Sequence, residues 1–261
     1  MERSLWTAAA GMSVQQVNMD VIANNLANVS TTGYKRSRAE FMDLLYQTIN
    51  APGTASSAST NLPSGIQIGL GARTGAVKKL FEQGDFRATE NPLDVIIAGE
   101  GFFKVIKPDG TMVYTRDGAF TTDENGNLVN MLGYSLDPPI TLPQDAQTVT
   151  IGRDGTVSVR LADETVSQVG NIELAHFINP TGLQSIGSNM FASTVASGDP
   201  ILGTPGTDGL GELQQGFLET SNVDIVTELV DMITAQRAYE LNSRSIKSVD
   251  DMLRQLAQLV R

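Results

Sequence analysis

The sequence predicts an α+β protein in which N- and C-terminal helices pair as a coiled-coil domain, with a mostly antiparallel β domain and extended arms inserted between them. Three observations carry this reading. Apolar residues recur every seven positions at both ends, short apolar or alternating runs separated by turn residues fill the middle, and Gly/Pro/Ser-rich stretches flank that middle almost symmetrically.

At the N-terminus one heptad row reads Leu5, Met12, Met19, Leu26, and the row three residues on reads Ala8, Gln15, Ile22, Val29, an a/d seam with one polar break. The spacing predicts a helix beginning after Ser4 and ending between Asn28 and Thr32, where Gly33 can take the left-handed conformation that closes it. Asn24, Asn25 and Asn28 are mediocre helix formers near that end; they predict either fraying into a turn or side-chain hydrogen bonds to a neighbouring chain. A short apolar stretch, 41–49, leads into a low-complexity segment, 50–75, whose composition is that of a flexible linker or extended arm.

From there the pattern is β. Asp94–Ala98 and Phe102–Ile106 are separated by Gly99-Glu100-Gly101, and Lys107-Pro108-Asp109-Gly110 predicts a hairpin turn. Turn signals recur at Asp117-Gly118, Glu124-Asn125-Gly126 and Arg153-Asp154-Gly155, the signature of a small antiparallel domain. After a Gly/Pro-rich return, Thr220-Ser221-Asn222 marks the start of the last helix. Its heptad row is Ile225, Met232, Tyr239, Ile246, Leu253, Val260, supported by Ala235, Val249 and Leu256, with Arg237, Glu240, Arg244 and Arg254 between. The expected organisation is an N-terminal helix of a discontinuous helical core over 1–33, an extended arm over 34–75, a β-rich outer domain over 76–196, a return loop over 197–221 and the C-terminal helix of the core over 222–261.

Burying six large apolar side chains on the C-terminal row stabilises by roughly 10–15 kcal/mol. Ordering the helix backbone costs about 1–2 kcal/mol per residue, so the seam calls for burial on more than one side. The expectation is that the termini are loose in the monomer and become ordered when many copies pack together; an antiparallel pair closing an ordinary globular domain is the alternative.

Composition removes several function classes. Eighteen basic against twenty-nine acidic residues give a net charge of −11, which argues against binding nucleic acid through phosphates or an anionic membrane surface. Lys35, Arg36 and Arg38 form a local basic cluster, read as a solvated loop after a helix. The chain has no cysteine, hence no disulfide, thiolate metal site or Cys nucleophile. No apolar run reaches the ~20 residues a membrane span needs, and the first residues lack the pattern of a cleavable signal peptide.

No catalytic, cofactor or metal residue is nominated. His176, the one histidine, sits in an apolar run and reads as a packed or surface residue. Gly69-Leu70-Gly71 with Gly75 lacks the Gly-Lys-Ser/Thr of a phosphate loop. Asp123, Asn125 and Asn127 alternate as in a calcium loop but lack its glycine and bidentate acid, so a hairpin turn is the better account.

Several motifs then resemble one family. The run from Asn18 to Arg36 (NMDVIANNLANVSTTGYKR) is similar to the N-terminal signature of bacterial flagellar rod and hook proteins. Glu219-Thr220-Ser221-Asn222-Val223 and Gln236-Arg237-Ala238-Tyr239-Glu240-Leu241-Asn242-Ser243 resemble the matching C-terminal signature; Gly99-Glu100-Gly101-Phe102-Phe103 and Tyr114-Thr115-Arg116-Asp117-Gly118 extend the likeness through the middle. Residues 43–49 and 62–69 resemble a stretch that distal-rod members carry and hook members lack, associated in the family with a straight, stiff rod. The resemblance implies a non-enzymatic subunit of the distal rod, without cofactors, polymerising helically into a shaft that carries torque from motor to hook; a hook or proximal-rod subunit is the alternative, and a soluble β-domain enzyme with a helical tail the more distant one. It implies export unfolded through the flagellar type III apparatus, no signal cleavage, and residence in the basal body in the periplasmic space. The implied partners are further copies, proximal rod and hook proteins at the two ends, and the surrounding periplasmic and outer-membrane ring proteins, with no nucleic acid and no membrane insertion. The expected subunit contacts are Leu5, Met12, Met19, Ile22, Leu26, Met232, Tyr239, Ile246 and Leu253, with Asn24, Asn25, Asn28, Gln236 and Arg237 supplying polar register.

Overall fold

The computed structural model describes residues 2–51, 55–57, 60–61 and 64–259. The chain divides into a helical unit (1–27, 37–79 and 224–261) and a β unit (28–36 and 80–223). Two helices and many antiparallel strands make it α+β.

In the helical unit, α1 (Glu2–Ala27) begins two residues before the expected Ser4 boundary. Helix α2 (Ile225–Leu259) starts later than its expected cap. The capping residue is Asp224, whose Oδ1 accepts the Val226 N–H at 3.1 Å and whose Oδ2 accepts the Thr227 hydroxyl at 2.6 Å. Val260 of the heptad row lies outside the described residues.

The helices run antiparallel: Gly11 faces Asn242 and Asn25 faces Glu228. A Cβ on Gly11 would meet the Asn242 amide at 2.9 Å, so glycine permits the close approach. The buried strip is narrow, made of Ala8, Val14, Ile22 and Asn25 on α1 and Glu228, Ala235 and Val249 on α2. On α2 it follows the second heptad row; on α1 Ala8 and Ile22 belong to that row while Val14 and Asn25 lie beside it, and Leu5, Met12, Met19, Met232 and Ile246 are half-buried along the margins. Small residues on that row let the backbones come together, and the larger side chains of the first row splay to either side.

The segment read from composition as a linker forms a β-ribbon: β1 (Ser37–Asp43), β2 (Tyr46–Asn50), β3 (Ala55–Ser57), β4 (Thr60–Asn61), β5 (Ile66–Gly69) and β6 (Ala72–Lys79). Pairs β1–β6, β2–β5 and β3–β4 succeed one another antiparallel, from Ser37 opposite Lys79 to Ala55 opposite Asn61, with register shifts at Glu40/Phe41, Thr48/Asn50 and Ala55/Ser57. Its root packs on α1. Gly71, at φ +114°, brings the chain within van der Waals reach of Ala10 and Thr7.

The β unit contains β7 (Phe86–Ala88), β8 (Val95–Ala98), β9 (Phe102–Ile106), β10 (Met112–Thr115), β11 (Thr121–Thr122), β12 (Leu128–Val129), β13 (Ser135–Leu136), β14 (Ala146–Ile151), β15 (Thr156–Leu161), β16 (Val166–Asn171), β17 (Leu174–His176), β18 (Gln184–Gly187), β19 (Met190–Ala192), β20 (Ile201–Gly203), β21 (Glu212–Gln215) and β22 (Phe217–Glu219). A nine-stranded sheet runs β11-β12-β13-β9-β10-β19-β18, with β17 also pairing β9 and carrying β20. Strands β14-β15-β16 form a second sheet, and β8–β21 and β7–β22 are separate pairs. Residues 197–221, expected as a return loop, thus contribute three short strands, because β20, β21 and β22 find partners far away in sequence.

Strand β9 is buried on both faces and is apolar except for Lys104, whose Nζ pairs with Asp137 at 2.6 Å. Phe103 and Val105 enter the main core with Val95, Ile97, Phe120, Leu136 and Val157. Phe102 points the other way, into an aromatic cluster with Tyr114, Phe177 and Phe191. The turn read at Asp123–Asn127 is a hairpin turn, with the Asp123 N–H donating to the Asn127 carbonyl at 2.9 Å.

Candidate assembly interface

The features of the helical unit that suit it to assembly are those that the single chain leaves uncovered. On α2 the buried strip and its margins account for one side. The opposite side carries Val226 (69% exposed), Val230 (53%), Ile233 (57%) and Leu241 (62%), at helical spacing with Arg237 between Ile233 and Leu241. Arg237 is exposed and reaches Glu240 of its own helix at 3.1 Å. Sequence reasoning missed this row because the heptad template selected a single row; the signal was present as a second apolar stripe at 226, 230, 233 and 241. On α1, Trp6 is 75% exposed.

The ribbon adds a second uncovered apolar surface. Leu45, Tyr46 and Ile49 on one strand side, and Ile66, Ile68 and Leu70 on the other, are all exposed. A two-stranded ribbon alone is marginally stable in water, so these side chains need cover from elsewhere.

The expected interface residues divide into three groups. Leu5, Met12, Met19, Leu26, Met232 and Ile246 are half-buried within the helical unit, and Ile22 is fully buried there. Tyr239, Leu253, Gln236, Arg237 and Asn24 are exposed. Asn25 is buried, and its amide is engaged inside the chain: Nδ2 donates to the Ser37 carbonyl at 2.8 Å and to Glu228 at 3.2–3.3 Å, while Oδ1 accepts the Ser37 N–H at 2.9 Å. Asn28 uses Oδ1 to accept the Thr31 hydroxyl at 3.2 Å.

The basic cluster needs a correction. Lys35 is not on a solvated loop; its side chain is fully buried in the β unit. Its Nζ donates to Glu219 Oε1 at 2.6 Å and to the Glu82 carbonyl at 2.7 Å. Glu219 Oε2 pairs with Arg116 Nε at 3.2 Å, and the Arg116 guanidinium donates to the carbonyls of Gly99 and Gly101 at 2.7 Å each. Burial pulls the Lys35 ammonium below its ordinary pKa, opposed by the Glu219 charge. Arg116 is likewise lowered by burial, with Glu219 opposing. A lysine survives here because an anion and a carbonyl replace its water. Four of the sequence motifs, those around Lys35, Gly99, Arg116 and Glu219, therefore meet at one point. His176 is half-buried, with Nδ1 at 3.6 Å from Glu100.

Among the described residues no helix is long and apolar enough to cross a membrane, and no group of three or more His, Asp or Glu is placed to hold a metal ion.

Comparison with known proteins accounts for these motifs. Residues 5–35 match the model of flagella basal body rod proteins, 96–159 that of the D1 domain of flagellar hook protein FlgE/F/G, and 214–259 that of the C-terminal region of flagellar basal body rod FlgEFG proteins. Flagellar basal-body rod protein FlgG of Buchnera aphidicola (from Schizaphis graminum) is 51% identical over 98% of this chain and 99% of its own. The FlgG of Caulobacter vibrioides is 48% identical over 98% and 99%, and that of Bacillus subtilis 40% identical over the full length of both. With such identity over nearly the whole of this chain and of each relative, the chain belongs to the FlgG family of flagellar basal-body rod proteins.

Proposed function

We propose that this chain is a structural subunit of the distal flagellar rod, polymerising helically into a stiff shaft that carries torque from motor to hook. The observation that carries the reading is the uncovered apolar row Val226, Val230, Ile233 and Leu241 on α2, in a chain related to FlgG over its whole length. Further copies of the chain cover that row, and the terminal helices pack as a coiled-coil inner tube. The contact is heterologous and does not close, which is the requirement for a filament. The ribbon residues Leu45, Tyr46, Ile49 and Ile68 pack on neighbouring copies and stiffen the wall. The β unit faces the surrounding ring proteins, and proximal rod and hook proteins cap the two ends. The role is structural rather than catalytic. Subunits reach the periplasm unfolded through the flagellar type III apparatus and add end on. There the termini, which bury only a narrow strip in one chain, acquire their full order.

The test is polymerisation of the purified chain followed by electron microscopy of the parent and of a variant lacking residues 51–61. Straight polymers from the parent and bent or irregular ones from the variant are expected. A parent that stays monomeric at every concentration, with export and motility unaffected by its loss, overturns the reading; straight polymers from the deletion variant remove the stiffening role of the ribbon.

A further inference from the structure

The chain passes between the helical unit and the β unit four times, at 27/28, 36/37, 79/80 and 223/224. On the β-unit side these passages are the two ends of the loop 28–36, the start of the segment at Leu80, and the end of the segment at Val223. Nothing in the sequence places these roots together, since Lys35 and Glu219 are 184 residues apart. The structure fastens the roots at 36/37, 79/80 and 223/224 to one another and to Gly33 of the loop 28–36. The Gly33 N–H donates to the Glu219 carbonyl at 2.8 Å, and the Leu80 N–H to the Arg36 carbonyl at 2.9 Å. Asn222 Oδ1 accepts the Arg36 N–H at 2.7 Å, while its Nδ2 donates to the carbonyls of Leu80 at 3.0 Å and Glu82 at 3.1 Å. Glu219 Oε1 takes the Lys35 ammonium and the Gly84 N–H at 2.9 Å. Arg116 then ties Glu219 to the Gly99–Gly101 turn that leads into β9, the strand at the centre of the core.

We propose that Glu219, with Lys35, Arg116 and Asn222, is a clamp: it gathers the roots of the passages at 36/37, 79/80 and 223/224, together with Gly33 of the loop 28–36, into one body and anchors that body to β9, so a twist entering through any of these three reaches the β core through all of them. Its use in torque transfer rests on the rod reading above. Glu219 is the hub because it touches the loop 28–36, the segment 82–84 and Arg116 together. The four residues are polar and border the apolar core, with the Arg116 guanidinium 5.9 Å from the Phe102 ring. Charge-assisted hydrogen bonds are short and directional, so the clamp fixes the angles between the roots as well as their distances. The arrangement also makes the N-terminal loop depend on the last strand of the β unit, so the clamp closes only once both ends of the unit are present.

The test is amide hydrogen exchange on the full-length monomer, below the concentration at which it polymerises, for the parent, Glu219→Gln and Asn222→Ala. Glu219→Gln keeps the shape but leaves two buried cations without their anion; Asn222→Ala removes three hydrogen bonds without leaving a charge. The amides of Gly33, Arg36, Leu80 and Gly84 are expected to exchange about a hundredfold faster in Glu219→Gln and about tenfold faster in Asn222→Ala, while amides of β9 and β15 stay within about threefold of the parent. Equal acceleration of root and core amides overturns the proposal, because the residues would then be ordinary contributors to global stability. Unchanged root amides overturn it as well. If Glu219→Gln does not fold, Asn222→Ala alone decides: faster root amides over a steady core support the clamp, and either of the other two patterns overturns it. The measurement is made on monomer, so its failure leaves the rod reading standing, and failure to polymerise leaves the clamp standing.

Discussion

Replacing Ile233 with serine tests the uncovered row of α2 in the most direct way. The side chain is 57% exposed in the single chain. Burying an isoleucine in full stabilises by about 1.5–3 kcal/mol, so covering the exposed part is worth about 0.9–1.7 kcal/mol per subunit added. That difference raises the critical concentration for polymerisation about 5- to 20-fold. Serine and isoleucine have similar helix propensities, so the effect is not confused with a loss of helix. Stability of the monomer, measured by urea denaturation, should fall by no more than about 0.6–1.3 kcal/mol, the share of that burial the single chain already makes. The assay is sedimentation of polymer from a concentration series, with circular dichroism at 222 nm on the supernatant to confirm an intact monomer. A critical concentration within twofold of the parent would refute the assignment of this row to the subunit contact.

Three further outcomes follow from the packing. Phe103 is completely buried, with its ring edge-on to Phe120 at 5.1 Å; Phe103→Ala should cost about 3–5 kcal/mol in a denaturant titration, and a loss under 1 kcal/mol would mean that this core is not packed as described. Asn25→Ala strips partners from the Ser37 N–H and carbonyl and from Glu228, and should cost about 2–4 kcal/mol, whereas Asn24→Ala at an exposed position should cost under about 1 kcal/mol; comparable losses by thermal melting would erase the distinction. Asp117 has its carboxyl pKa raised, chiefly by burial and also by the Asp94 charge, with the Ala119 N–H partly offsetting both. A carboxyl whose folded pKa lies above its unfolded value of 3.8 binds protons more tightly when folded, so stability falls as pH rises through the interval between the two. Asp117→Asn should therefore be more stable than the parent at pH 7, with the gap closing below pH 4; urea midpoints that differ equally at both pH values would contradict the assignment.

The heptads made both helices legible; which rows the chain buries was harder to read. At each end the buried row is the one with the smaller residues, Ala8 and Ile22 against Ala235 and Val249, because close approach of two helices selects size as well as polarity. A single sequence does not say which of two adjacent rows faces inward. The hairpins of the β unit were legible wherever the turn was local, as at Asp123–Asn127. The ribbon was not: Thr48 pairs with Gln67 and Ala55 with Asn61, and residues with weak strand preference are held by a register set elsewhere along the ribbon. The buried ion pair was invisible for the same reason in stronger form. Lys35 looked like a loop lysine because its environment is supplied by Glu82 and Glu219, and local sequence carries no record of either.

The polar pair in the helix seam has a consequence beyond stability. With Asn25 opposite Glu228 and Gly11 opposite Asn242, the start of α1 falls near residue 251 of α2, and the last two turns of α2 continue past it. Met252 and Leu253 on those turns are exposed, as expected of side chains with no α1 residue opposite. Sliding α2 by one heptad would leave the seam's apolar periodicity almost unchanged, since rows seven apart are alike. It would also carry Glu228 away from the Asn25 amide, to Asn18 in one direction and past the end of α1 in the other. Of these positions Asn25 is the one bonded to both backbone groups of Ser37, so the Asn25–Glu228 pair ties the helix register to the root of β1. That register fixes how much of α2 projects beyond its own α1.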